Sequence, residues 1–127
     1  MISEEFPKSI MKDVYWSFGG QVFESQTEFN EKIRQYQIDI KEKDDWHPAK
    51  IVLRSPSINM VYEFWEGDDE VEKVVEISAN NGEFFTASEL LFKIHNLVTE
   101  NLHGMDHCFF EGLSLDKPPT YWLSLGS

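Results

Sequence analysis

The stretch HGMDHCFFEGL, residues 103–113, holds His103, Asp106, His107, the chain's one cysteine (Cys108) and Glu111. Proteins build zinc sites and acid–base centres from these side chains, so their spacing decides what chemistry to expect. Zinc takes three or four such ligands converging at about 2.0–2.3 Å. His103 and His107 share a helical face only if a helix runs on through Gly104, a residue type that usually ends helices. If residues 107–112 form a strand, His107 and Cys108 point to opposite faces and cannot both ligate. No CxxC, HxH or HExxH pattern is present. One reading is a small enzyme or metal-binding protein using His103, His107, Cys108 and Glu111, with His95 added. The other is a helix-to-strand junction, and the spacing favours it.

The remaining candidates point the same way. A nucleophilic Cys108 needs a cationic neighbour or a helix N-terminus to lower its pKa, and a lone cysteine before FF is more often a small buried apolar residue. No Gly-x-Ser-x-Gly elbow occurs. Neither FGG nor NNG carries the further glycines and the lysine of a phosphate loop. His95, in LFKIHNLV, sits one residue after the core position Ile94, where a structural hydrogen bond is expected rather than catalysis. The expectation is therefore no catalytic residue, no metal and no cofactor.

These side chains must be positioned by a fold that 127 residues can build as one domain, 1–127. At 41% hydrophobic and 14% aromatic, the chain has the material for a core and lacks the composition of a disordered one. A single cysteine excludes an intramolecular disulfide, which suits a reducing compartment. The start of the chain shows no cationic segment followed by an apolar run, and no stretch of about 18 apolar residues occurs. A cytoplasmic protein without a membrane segment is expected. Twenty-three acidic against eleven basic residues give a net charge of −12. That field repels nucleic acid and anionic lipid and attracts cationic partners.

Along the chain the hydrophobic period changes several times. Residues 1–13, with Pro7, read as an irregular or short helical lead-in. Residues 14–23, VYWSFGGQVF, are rich in strand formers around Gly19-Gly20, as in two short strands or one strand with a bulge. Ser25 and Glu28 make a capping box, followed by Phe29, Ile33, Tyr36 and Ile40 at helical spacing. Residues 49–54 and 58–65 read as strands, with Ile58, Met60, Tyr62 and Phe64 on one face and Asn59, Val61, Glu63 and Trp65 on the other. The turn EGDDE leads into a return strand, 71–78, placing Val71, Lys73, Val75 and Ile77 together. Thr86 and Glu89 form a second capping box ahead of Leu90, Leu91, Ile94, Leu97, Val98 and Leu102. HCFFEGL and TYWLSL read as two further strands, split by DKPP. The expected class is α+β: a mainly antiparallel sheet of about five to six strands with two amphipathic helices packed on it.

The charge is concentrated in the hairpin. Between residues 63 and 76, Glu63, Glu66, Asp68, Asp69, Glu70, Glu72 and Glu76 face Lys73 alone, a net −6. Trp65 lies among them. A large aromatic within carboxylates has the character of an interaction hot spot ringed by steering charge, so Glu63, Trp65, Glu66, Asp68, Asp69, Glu70 and Glu72 are the expected partner-binding residues. Solvation alone is the competing explanation.

FTASELLFKIHNLV, DHCFFEGL and the closing PPTYWLSLGS together resemble a group of small acidic bacterial single-domain proteins, similar in character to immunity proteins of contact-dependent and polymorphic toxin systems. The resemblance is concentrated in residues 84–127 and brings no catalytic motif. It implies a cytoplasmic inhibitor that binds a basic protein partner, a cognate toxin domain such as a nuclease, with no nucleic acid or membrane partner. The chain would be a monomer or homodimer. A structural or oligomerisation module, with PPTYWLSL as an edge strand pairing with its copy, is the remaining alternative.

Overall fold

The two strongest periodic segments become the longest helices, and the hairpin pattern becomes the longest strands. A computed structural model describes residues 6–18, 20–102 and 108–126. In chain order the elements are β1 (Ser9–Ile10), α1 (Gln26–Lys41), β2 (Ile51–Leu53), β3 (Ser57–Glu66), β4 (Asp69–Ser78), β5 (Phe85–Thr86), α2 (Ala87–Leu102), β6 (Phe109–Leu115) and β7 (Thr120–Gly126). The main sheet has the order β1-β6-β7-β3-β4, antiparallel except where β3 and β7 run parallel. β2 and β5 form a separate two-stranded sheet. The class is α+β, as expected. β7 lies between β6 and β3, so residues 120–126 are not an outer edge, and the expectation that they pair with a second copy loses its geometric basis.

β3 and β4 pair without a bulge from Ser57↔Ser78 to Glu66↔Asp69. Gly67, at φ 66, and Asp68 make the two-residue turn; the positive angle at the first central position is what a type II′ turn requires. Alternation sends Ile58, Met60, Tyr62 and Phe64 into the core. α2 lies on this inner face, where the Tyr62 hydroxyl donates to Asn101 Oδ1 at 2.7 Å. α1 packs on α2.

Helix starts follow the expected chemistry in part. Ser25 Oγ accepts from the Glu28 amide at 3.3 Å, and Thr86 Oγ1 from the Glu89 amide at 3.2 Å. Glu89, however, sends its carboxylate across to the Asn80 amide and to Lys93 Nζ rather than back to its own cap. The buried faces also differ from the expected stripes. Ile40 is 50% and Leu97 40% exposed, while Gln37, His95 and Thr99 are buried. The reason lies in residues 14–23. They are not two strands or a bulged strand: among the described residues their one ladder contact is an isolated bridge, Ser17↔Phe109. The rest is an extended strap whose backbone is bonded by polar side chains of the two helices, which must therefore point inward.

One glycine sets the shape of the β6–β7 pair. Phe110 pairs with Leu125 and Leu113 with Leu123, so Glu111 and Gly112 together oppose Ser124, a β-bulge. Gly112 has φ 97, and a Cβ there would lie 2.9 Å from Ile10 O. Gly82 also has positive φ, 71, but open space around it. Gly112→Ala should lower the unfolding free energy in urea by about 2–3 kcal/mol, strain plus a backbone clash, and Gly82→Ala by about 1 kcal/mol. Equal losses would show that the close approach at Gly112 carries no weight.

Candidate functional site

The polar stretch that opens the chemical question is only partly covered: His103, Asp106 and His107 lie outside the described residues. Cys108 is half-buried, its Sγ 3.7 Å from Ser17 Oγ and its carbonyl accepting from the Phe18 amide. Glu111 is exposed at the bulge, with its carboxylate lying over Gly126. Among the described residues no group of three or more His, Cys, Asp or Glu side chains is placed to hold a metal ion.

His95 is committed to the strap. Trp16 Nε1–H donates to His95 Nδ1 at 3.0 Å, so the ring proton resides on Nε2, which donates to Gln21 O at 2.7 Å. The rings of Trp16, Phe18, Phe23 and Phe29 surround it at centroid distances of 5.1–6.0 Å. On either side, Gln37 brackets Tyr15, accepting from its amide at 2.9 Å and donating to its carbonyl. Asn96 brackets Phe23 at 2.9 Å in both directions. The Thr99 hydroxyl reaches the carbonyls of Phe18 and Gly20. Burial holds the His95 pKa below its ordinary 6.5, against the smaller upward pull of the Gln21 carbonyl. A second ring proton would also face the Trp16 N–H, donor against donor.

The outer face of the sheet is the contrasting surface. Asn59, Val61, Glu63 and Trp65 of β3 share it with Glu70, Glu72, Val74 and Glu76 of β4 and with Trp122 of β7, as the register dictates. Val61 is buried there, being opposite both Val74 and Trp122. Trp65 and Val74 remain half or more exposed. Glu63 stands directly across from Glu72, and Trp65 across from Glu70. The Glu63 carboxyl is raised above its usual range, first by a hydrogen bond with Glu70, then by desolvation and by repulsion from Glu70 and Glu72.

β3 and β7 pair only over Asn59–Val61 and Thr120–Trp122. Beyond this they part, just where the bulge adds twist to the β6–β7 pair. The gap is a cleft of about 470 Å³ lined by Glu63, Phe64, Trp65, Glu70, Trp122, Leu123 and Leu125. Of the expected partner-binding residues, Glu63, Trp65 and Glu70 come together here, with Glu72 alongside. Glu66 and Asp69 alternate to the opposite face at the hairpin tip, and Asp68 sits in the turn. Sequence reasoning missed Trp122. The signal was present: within TYWLSL it falls on the row opposite Tyr121, Leu123 and Leu125, an aromatic among polar residues.

Comparison with protein-family models, with curated proteins and with solved structures finds no match. Among the described residues no helix is long and apolar enough to cross a membrane.

The His95 geometry sets a pH dependence. The unfolded chain takes up a proton at His95 below 6.5, whereas the folded chain resists it to a lower pH. Stability is therefore gained above 6.5 and lost as pH falls through that value. His95→Gln keeps an acceptor and a donor without titrating. The drop in unfolding free energy between pH 7.5 and pH 5.5 should be larger in the parent than in H95Q, as measured by urea denaturation; parallel curves would rule out His95 as the titrating group.

Proposed function

We propose that this chain is a non-enzymatic cytoplasmic binding protein, an immunity-type inhibitor that occludes a basic toxin domain with the outer face of its β3–β4 hairpin. The observation that carries the reading is the cleft on that face, with tryptophan walls and a carboxylate rim. Interface hot spots favour this combination of large aromatic surface and surrounding charge. The hairpin's net −6, within a total of −12, steers a cationic partner toward the cleft. A nuclease domain with a basic active cleft is the toxin class whose field complements it. Solvent exposure of Trp65 and Val74 on the same face supports this reading, because an apolar surface ringed by charge has area to bury.

The test is protection of bacterial growth on co-expression with basic nuclease toxin domains, starting from any toxin-like reading frame that neighbours the gene. The parent chain should protect. Trp65→Ala should weaken binding by about 2 kcal/mol or more, roughly 30-fold in Kd. Glu63→Lys/Glu70→Lys/Glu72→Lys, all on the outer face, should abolish protection. Glu66→Lys/Asp68→Lys/Asp69→Lys changes the charge equally at the tip and should cost mainly association rate at low salt. Equal loss from the two triple variants would remove the outer face from the reading, and failure of the parent to protect would remove the inhibitor itself.

A further inference from the structure

The outer face carries a charge that no ion pair among the described residues answers. Among the described residues the ion pairs are Arg34–Asp44, Lys41–Asp45 and Lys93–Glu89, none of them on this face. Lys73, the hairpin's one cation, points to the inner side, across from Tyr62. Meanwhile Glu63 and Glu70 lie diagonally across the β3–β4 ladder on this face and both line the cleft. Two carboxylates in that relation are better satisfied by one cation that bonds both than by water.

The walls narrow the choice of cation. Trp65 and Trp122 stand on the two strands that part, and Leu123 and Leu125 continue the β7 side. Indole faces attract a cation that can shed water, and guanidinium is more weakly hydrated than ammonium. Its planar fork also matches carboxylates in two directions at once, where an ammonium acts as a point charge. The carboxylates do not gather around a point as metal ligands would.

We infer that the cleft between β3 and β7 holds one arginine side chain of the partner, its guanidinium lying against Trp65 and Trp122 and bonded by Glu63 and Glu70. This rests on the reading of the outer face as the partner-binding surface and names the chemistry that anchors there. The volume of about 470 Å³ accommodates the whole side chain and part of the backbone that carries it. The β3 and β7 residues that flank the cleft are unpaired with each other beyond Val61 and Trp122, so an extended partner segment can lie along the opening.

The test uses small probes on the full chain, labelled with 15N. N-acetyl-arginine amide, its neutral isostere N-acetyl-citrulline amide, and N-acetyl-lysine amide are titrated while the indole N–H signals of Trp65 and Trp122, assigned with single Trp→Phe variants, are followed. Arginine amide should shift both indoles saturably in the millimolar range, about tenfold more tightly than citrulline or lysine amide. Glu63→Gln/Glu70→Gln should lose that tenfold while keeping the parent's far-UV spectrum and an unfolding midpoint at or above the parent's. Citrulline binding as well as arginine would make the cleft merely apolar, and lysine binding as well would leave only charge; either overturns the inference, as does a shift at neither indole. Should arginine leave the indoles unmoved while toxin protection still depends on Glu63, Glu70 and Glu72, the anchor falls and the inhibitor reading stands. Should arginine bind while no protection is seen, the inhibitor reading falls alone.

Discussion

Burying extended backbone without a strand on each side obliges something else to bond its amides and carbonyls, and this fold solves that problem with helical side chains. Gln37 and Asn96 each present an amide that mimics a neighbouring strand, donating and accepting against Tyr15 and Phe23. Thr99 and His95 take the carbonyls between them. Among the described residues only the Trp16–Phe18 stretch meets the start of β6, through the Phe18 amide to Cys108 O and the Phe110 amide to Trp16 O, both at 2.8 Å. The strap thereby ties α1, α2 and the start of β6 together, and Trp16 packs edge-on to Phe29 and Tyr36 of α1 while bonding His95 of α2. Removing one of these polar groups leaves its partner unsatisfied in an apolar setting, which costs more than the bond itself contributes.

With the strap and both helices on one side, the polar chemistry of the inner face is spent on structure. The outer face has no such duty. On it the cleft opens where the β3–β7 pairing ends, beside the bulge at Glu111–Gly112 that lets Gly112 pass under Ile10 O. The same bulge lies in the segment whose residue types suggested catalysis, so its contribution, within the described residues, is geometric.

What the sequence made legible was what is local. The β3–β4 hairpin, its turn and both of its faces follow from period-two alternation around Gly67-Asp68, and α2 follows from a 3.6-residue repeat after Thr86. Residues 14–23 carry the same β-branched and aromatic types a strand would, and nothing within them says that their partners are Gln37, Asn96 and Thr99. Trp16 and His95 are 79 residues apart, and such a contact leaves no periodic trace. Inward-facing Gln37 and Thr99 likewise look like interruptions of an apolar stripe until the strap is in place. The cleft was half visible: Trp65 stood out among carboxylates, while Trp122 needed the parallel β3–β7 pairing, a strand order that hairpin logic does not supply.

The placement of charge on β4 bears on whether the acidity is only for solubility. A net negative charge keeps a protein dispersed wherever its carboxylates are placed, and opposite charges across strands would cost nothing in that respect while stabilising the pair. Here Glu63 faces Glu72 directly and crowds Glu70 diagonally, an arrangement that works against the hairpin at neutral pH, since the raised Glu63 pKa means that stability is lost as pH rises through it. Nor does protecting the β4 edge require it. Lys73, turned inward on that edge strand, already discourages another strand from adding, and alternating signs would guard the edge equally well. Like charges held opposite one another beside two tryptophans weaken the free protein and strengthen whatever cationic surface covers them. The proposed partner-binding role accounts for that asymmetry, which neither solubility nor edge protection requires.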